Sequence, residues 1–192
     1  MNSIPKFRPD SIRLKDYDYA LAGAYFVTIC IQNRECILGR IEDGTMLLSE
    51  HGRIEDDCWY ALPEHYSNVF LDQFTVMPNH VHGIVLLTET GDVGARSSRP
   101  HPTKHVIDEP GGITPPLRRH SLGQIIGYFK YQSTKRMNDI DGFKDRKIWQ
   151  RNYHDRIIRN ETELKAIREY ILNNPYNWDK DIENPLNVNK KP

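Results

Sequence analysis

Apolar and polar positions along the chain mark a small number of elements, and the strongest lies at Phe70–Leu87, FLDQFTVMPNHVHGIVLL. Apolar and β-branched residues fill two runs there, broken by Pro78-Asn79, which predicts two β-strands joined at a tight corner. Tyr25–Ile31 predicts an earlier strand, with Tyr25, Val27, Ile29 and Ile31 on one face and Phe26, Thr28 and Cys30 on the other. Between Cys36 and Gly52, two short apolar runs flank Glu42-Asp43-Gly44, the signal of a hairpin. Ser49 reads as the N-cap of a helix running to about Leu62, with Ile54, Cys58 and Leu62 as its buried stripe and Pro63 as its stop.

Arg118–Ile140 predicts a longer helix whose core stripe is Leu122, Ile125, Ile126, Phe129 and Met137. A second stripe, Gln124, Tyr128, Gln132 and Lys135, runs along its side, so Tyr128 and Gln132 are neighbours one turn apart. A last helix starts at Asn160, with Glu163 placed as in a capping box, and ends before Asn174-Pro175. Leu164, Ile167 and Ile171 are its apolar positions. Residues 89–117 are rich in Gly and Pro and lack periodicity, which predicts a long loop; it contains His101 and His105, two further candidates for a metal. The expected organisation is a lead-in over residues 1–20, one domain over 21–178 and a flexible tail over 179–192. The element order implies an α+β fold with a β-α-β-β-α-β core, a central antiparallel sheet with helices on one face, and a C-terminal helical tail. Its last strand comes from Ile148–Tyr153 or nearby.

Charge changes this picture only locally. The 192 residues carry 26 Lys and Arg against 26 Asp and Glu, so no partner is favoured globally. From Gly112 to Asn160, however, eleven basic residues face four acidic ones, interleaved with Tyr128, Tyr131, Trp149 and Tyr153. Cations for phosphates and rings for unstacked bases fit nucleic acid; a solvated helix face fits as well. The 3 cysteines have no C-x-x-C spacing, which argues against a disulfide framework or a zinc ribbon. With no apolar signal segment and no run of about 20 apolar residues, the expected setting is the reducing cytoplasm, without membrane contact.

The candidate chemistry starts at His80 and His82. Two residues apart on a strand, they leave the sheet on the same side, roughly 6.5–7 Å apart along the chain. Paired imidazoles on one face are half of a metal site, although an H-x-H pair alone also suits a half-exposed strand. The surrounding apolar runs place the pair in a central strand, where two buried imidazoles need partners. A divalent metal can withdraw charge from a phosphodiester while a tyrosine attacks phosphorus and keeps the phosphate as an ester. Tyr128 is the candidate nucleophile, with Tyr131 and Tyr153 as alternatives in the same segment. Gln132 offers a hard oxygen ligand, so a His-His-Gln set would suit Mg²⁺ or Mn²⁺.

VMPNHVHGIVLL resembles the HUH motif (His, bulky hydrophobic residue, His) of single-tyrosine transposases, and more narrowly of the REP-associated tyrosine transposases. The resemblance extends to SLGQIIGYFKYQSTKRMN and to IWQRNYHDRIIRNETELKAIREYILNNPYNW, covering about Tyr17 to Trp178. It implies a ferredoxin-like HUH domain in which His80 and His82 bind the metal. It implies a helix tyrosine that attacks single-stranded DNA, leaving a 5′-phosphotyrosine and a free 3′-OH, with a Gln four residues after it completing the metal site. Tyr128 and Gln132 stand at that spacing. The implied partner is single-stranded DNA with hairpins, and the implied state is monomer or homodimer. Arg118, Arg119, Lys130, Lys135, Arg136, Arg151, Arg156 and Arg159 are the expected DNA-binding residues. Two rivals remain at this stage: a hairpin-binding module without turnover, and a metal phosphoesterase that uses activated water.

Overall fold

The computed structural model describes residues 17–89 and 120–187. The expected lead-in up to residue 16, the loop from 90 onward with His101 and His105, and Arg118 and Arg119 lie outside the described residues. The elements are β1 (Gly23–Cys30), β2 (Gly39–Glu42), β3 (Thr45–Leu48), α1 (Glu50–Tyr60), α2 (Leu62–His65), β4 (Val69–Met77), β5 (His80–Leu87), α3 (Leu122–Asp141), β6 (His154–Ile158) and α4 (Glu161–Asn173). Short 3-10 turns follow at Pro175–Lys180 and Pro185–Asn187.

Strands β4, β5, β1 and β6 form one antiparallel sheet in that order, with β5 and β1 central. This is the ferredoxin-like order of a βαββαβ core, with β2 and β3 as a separate hairpin inserted after β1. Local sequence explains the boundaries. Asp43 (φ 49°) and Gly44 (φ 74°) close the hairpin in the left-handed conformation that a tight two-residue turn requires. Ser49 Oγ accepts from the Gly52 N–H at 3.1 Å, capping α1. Ser121 and Gln124 form a reciprocal capping box on α3, and Gly142 (φ 71°) ends that helix. Asn160 Oδ1 accepts from the Glu163 N–H at 2.9 Å, so α4 starts where the sequence predicts.

The two faces of the sheet differ, and this decides where the chemistry lies. Tyr25, Val27, Ile29, Val81 and Val85 face α1 and α3, packing with Leu122, Ile125, Ile126, Phe129 and Met137. Trp59 sits at the centre, stacked on Phe74 (4.6 Å between ring centres) and edge-on to Phe129 (5.5 Å). Gly83 of β5 lies beneath this indole, and any Cβ there would overlap it. The opposite face carries Phe26 and Ile84 and is covered by Ile167 and Ile171 of α4. Helices α1, α2 and α3 lie on one face, as expected, and α4, the C-terminal helix, covers the other.

One expectation is narrowed and one is corrected. The last strand is His154–Ile158, because Ile148 and Trp149 turn into the core instead. Trp149 makes an isolated bridge to Ile31, and its Nε1 donates to Ser133 Oγ at 3.0 Å. Residues 179–187 are not a loose tail. Asn187 Nδ2 donates to the Asp179 and Asp181 carbonyls, Arg34 pairs with Glu183 at 3.0 Å, and Asn79 Nδ2 donates to the Glu183 carbonyl at 2.8 Å. Among the described residues, no helix is long and apolar enough to cross a membrane.

Glu55 of α1 is fully buried, and neither carboxyl oxygen has a hydrogen-bond partner of good geometry. Burial holds its pKa well above the ordinary carboxyl value, against smaller opposing effects from Ser133 and Arg136. The folded state thus favours the protonated form. That contribution is fully present below the unfolded pKa and is lost as pH rises through the folded one. Glu55→Gln keeps the shape and removes the titration. It should raise the urea midpoint relative to the unsubstituted chain at pH 8, with a smaller or absent gain at pH 4.

Candidate metal centre

β5 is the hinge of the site. Flanked by β4 and β1, it places His80 and His82 on the α4 side of the sheet, with 0% and 3% of their surface exposed. Their neighbours fix both rings. Asn79 Nδ2 donates to the carbonyls of Arg34 (3.1 Å) and Glu183 (2.8 Å). That orients the amide, so its Oδ1 accepts from His80 Nδ1 at 2.8 Å. His82 Nδ1 meets Thr28 Oγ1 at 2.8 Å, across the strand pair that sets Thr28 opposite His82. Phe26 stacks on the His82 ring at 5.5 Å. Both rings then turn Nε2 inward, and the two Nε2 atoms lie 3.0 Å apart.

Burial lowers both imidazole pKa values, His82 to about 3 and His80 well below 6.5, the latter also through His82 and Arg34. Both are neutral at pH 7, the form that binds metals. Two Nε2 lone pairs facing each other in a dry site repel, and a cation between them removes that repulsion. Their separation matches adjacent ligands at about 2.1 Å from a small octahedral ion. Fixing each Nδ1 by a hydrogen bond is how metal-binding histidines are held in a single tautomer.

Oxygen donors come from α4 and the turn after it. Tyr170 places its hydroxyl 3.4 Å from His82 Nε2, with its ring edge-on to Phe26 at 6.0 Å. Burial and then the nearby Asp181 charge push that hydroxyl up to about 12, while a hydrogen bond from the Asn174 side chain opposes the shift. Asn174 follows Tyr170 by one helical turn and is 3% exposed; its Oδ1 is buried without a hydrogen-bond partner. Asp181 accepts from the Glu183 N–H on Oδ1 at 2.7 Å and turns Oδ2 to within 3.8 Å of His80 Nε2. Because His80 is neutral, this is not an ion pair. Burial is the main cause that lifts the Asp181 pKa to about 6. The ligand atoms of His80, His82 and Asp181 all lie within 4.8 Å of one another. Two imidazole nitrogens and a carboxylate suit a divalent cation that accepts nitrogen and hard oxygen.

Other expected site residues are placed elsewhere. Tyr128 and Gln132 sit on α3, across the sheet from the histidines. The Tyr128 ring stacks on His65 at 4.0 Å and meets Tyr66 edge-on at 5.5 Å. The structure therefore does not bring these two together with His80 and His82, because α3 covers the Val81 and Val85 face. Tyr131 is exposed on the same helix, and Tyr153 lies near Lys130. Of the expected DNA-binding cations, Lys130 donates to the carbonyls of Gln150, Arg151 and Asn152. Arg136 pairs with Asp57 at 3.0 Å and Arg156 with Glu163 at 2.6 Å. Lys135, Arg151 and Arg159 are exposed.

Tyr170, Asn174 and Asp181 were not singled out from sequence. The available signal was strand parity. Helices that link β1 to β4 and β5 to β6 share one face, leaving the His80 face to whatever follows β6.

No protein-family model matches the chain. A protein of Haemophilus influenzae (strain Rd), described only as uncharacterized, is 36% identical over 171 residues, covering 89% of this chain and 90% of its own. Among solved structures, a REP-associated tyrosine transposase bound to a REP hairpin matches with a TM-score of 0.55 at 16% identity, over 87% of this chain and 74% of that one. A candidate transposase from Deinococcus radiodurans R1 is more distant, at a TM-score of 0.45 and 15% identity, over 84% of this chain and 96% of that one. The chain belongs to one family with the Haemophilus influenzae protein, and it has the fold of the REP-associated tyrosine transposases.

Proposed function

We propose that this protein is a metal-dependent enzyme that cuts and rejoins single-stranded DNA, acting beside hairpins through a 5′-phosphotyrosine. Tyr170 is the nucleophile, and His80, His82 and Asn174 hold Mg²⁺ or Mn²⁺, with Asp181 as a further oxygen donor. The observation that carries this reading is the Tyr170 hydroxyl on the buried histidine face, 3.4 Å from His82 Nε2. It replaces the expectation for Tyr128 and Gln132, whose helix covers the other face.

The chain's own residues divide the work. Phe26 and the body of α4 fix the Tyr170 ring, so the hydroxyl is held near the phosphate site at no further ordering cost. The Asn174 side chain hydrogen-bonds to the hydroxyl and favours its ionised form. A bound cation would withdraw charge from a non-bridging phosphate oxygen and lower the tyrosine pKa. The Tyr170 Oη–P bond forms as the P–O3′ bond breaks; the phenolic proton is released, and the departing 3′ oxygen takes up a proton. The DNA then carries a free 3′-OH, and the protein carries the 5′-phosphate. Reversal by the same or another 3′-OH rejoins the strand.

The test is cleavage of end-labelled single-stranded DNA containing a hairpin, in Mg²⁺ or Mn²⁺, resolved on a denaturing gel. The expected result is a free 3′-OH fragment together with label migrating at protein mass. Cleavage without an adduct would move the reaction to water. Binding without either product would leave a recognition module.

A further inference from the structure

A second feature stands apart from the histidine face. The C-terminal half of α3, the turn at residues 143–147 and the segment 148–151 enclose an open groove of about 750 Å³. On this globally neutral chain the groove is lined by six basic and two acidic side chains. Lys130 is structural, since it ties α3 to the carbonyls of residues 150–152, and burial lowers its pKa to about 8. Lys135, Lys144, Lys147 and Arg151 are different. All are exposed, and none has a side-chain ion pair or hydrogen bond to a described residue.

Two large rings stand on the groove wall with more than half their surface exposed, Tyr131 at 62% and Phe143 at 54%. Phe143 is held by the Arg146 guanidinium, 5.5 Å from its ring centre, and Arg146 is itself fixed by Asp141 at 2.9 Å. Unpaired cations beside exposed rings match the phosphates and unstacked bases of a single strand. A duplex would meet the cations but offer no base faces to the rings. One edge of the groove is tied by hydrogen bonds to the end of β1 that pairs with His80. The Gln150 N–H donates to the Cys30 carbonyl at 2.9 Å, Gln150 Nε2 donates to the Ile31 carbonyl at 3.2 Å, and Cys30 is the register partner of His80.

We infer that this groove binds an unpaired stretch of DNA that continues toward the His80 end of the sheet. Lys135, Lys144, Lys147 and Arg151 contact phosphates, while Tyr131 and Phe143 stack on bases. Naming the polymer as DNA rests on the function proposed above; the preference for a single strand rests on the groove.

The test is fluorescence anisotropy of the full chain with labelled oligo-dT and with a fully paired duplex, in EDTA, over a salt series. For oligo-dT, Lys144→Ala/Lys147→Ala should reduce the slope of log affinity against log salt by about 1.4, at about 0.7 per lost phosphate contact. Tyr131→Ala/Phe143→Ala should weaken oligo-dT at least about tenfold and leave the slope nearly unchanged. Arg40→Ala, exposed on the β2–β3 hairpin, is the control. Unchanged affinity in both double variants would overturn the inference. Loss in the lysine variant alone, with duplex bound as tightly as oligo-dT, would overturn the single-strand assignment. Circular dichroism confirms that each variant is folded. Failure of the proposed chemistry is read separately: the unsubstituted chain would then bind oligo-dT but form no adduct in Mg²⁺ or Mn²⁺.

Discussion

Tyr170→Phe should remove the covalent protein–DNA adduct entirely, while Tyr128→Phe should leave its yield within about twofold. The substitution deletes one oxygen and keeps the ring. The contacts to Phe26 and His82 that seat α4 on the sheet survive, so loss of folding cannot explain the result. The lost oxygen is the atom 3.4 Å from His82 Nε2, the one that the proposed reaction joins to phosphorus. DNA binding measured in EDTA should change little, because a buried hydroxyl adds few contacts to the polymer. Tyr128 lies across the sheet, with its ring against His65 and Tyr66, and losing its hydroxyl should not touch the reaction. The gel assay on the two variants, run beside the unsubstituted chain, checks both halves. A persistent adduct in Tyr170→Phe would remove this residue from the mechanism.

His82→Ala should abolish measurable Mn²⁺ binding by titration calorimetry, and Asn79→Ala should weaken it by about 10–100-fold. His82 supplies one of two Nε2 atoms 3.0 Å apart, and a single imidazole with oxygen donors is a much poorer site. Asn79 acts through His80. Its Oδ1 accepts from His80 Nδ1–H and so leaves the Nε2 lone pair facing the site, while its Nδ2 fastens the 183 turn beside it. With Ala at position 79, the ring gains freedom and the other tautomer becomes accessible. A metal affinity unaffected by His82→Ala would place the cation elsewhere.

How far the sequence carries depends on the element. The FLDQFTVMPNHVHGIVLL stretch was fully legible, because alternation along a strand fixes faces. The histidine pair, its burial and the Pro-Asn corner all follow from spacing. So did the caps at Ser49 and Asn160, where side-chain oxygens meet exposed backbone N–H groups. The role of Asn79 was hidden, since nothing local shows that its amide reaches Arg34 and Glu183.

The tyrosine expected beside the histidines lies across the sheet from them for a physical reason. A tyrosine followed by a side-chain amide four residues on occurs twice, as Tyr128 with Gln132 and as Tyr170 with Asn174. Spacing cannot choose between the two helices. Sheet topology chooses: α3 must cover Val81 and Val85, so only α4 reaches the face of His80, His82 and Ile84. Asp181 was hidden by composition. The polar, Asn-rich stretch after α4 reads as solvent-exposed chain, whereas its asparagines hydrogen-bond the backbone of successive 3-10 turns and bring a carboxylate to the histidines.

The most direct measurement is the identity of the modified residue. Protein trapped on single-stranded hairpin DNA in Mn²⁺ is digested with nuclease and protease, and the nucleotide-bearing peptide is sequenced by mass spectrometry. The modification is expected on Tyr170, in the peptide that also carries Ile171 and Asn174. Modification of Tyr128, Tyr131 or Tyr153 would place the chemistry outside the histidine face and contradict the account.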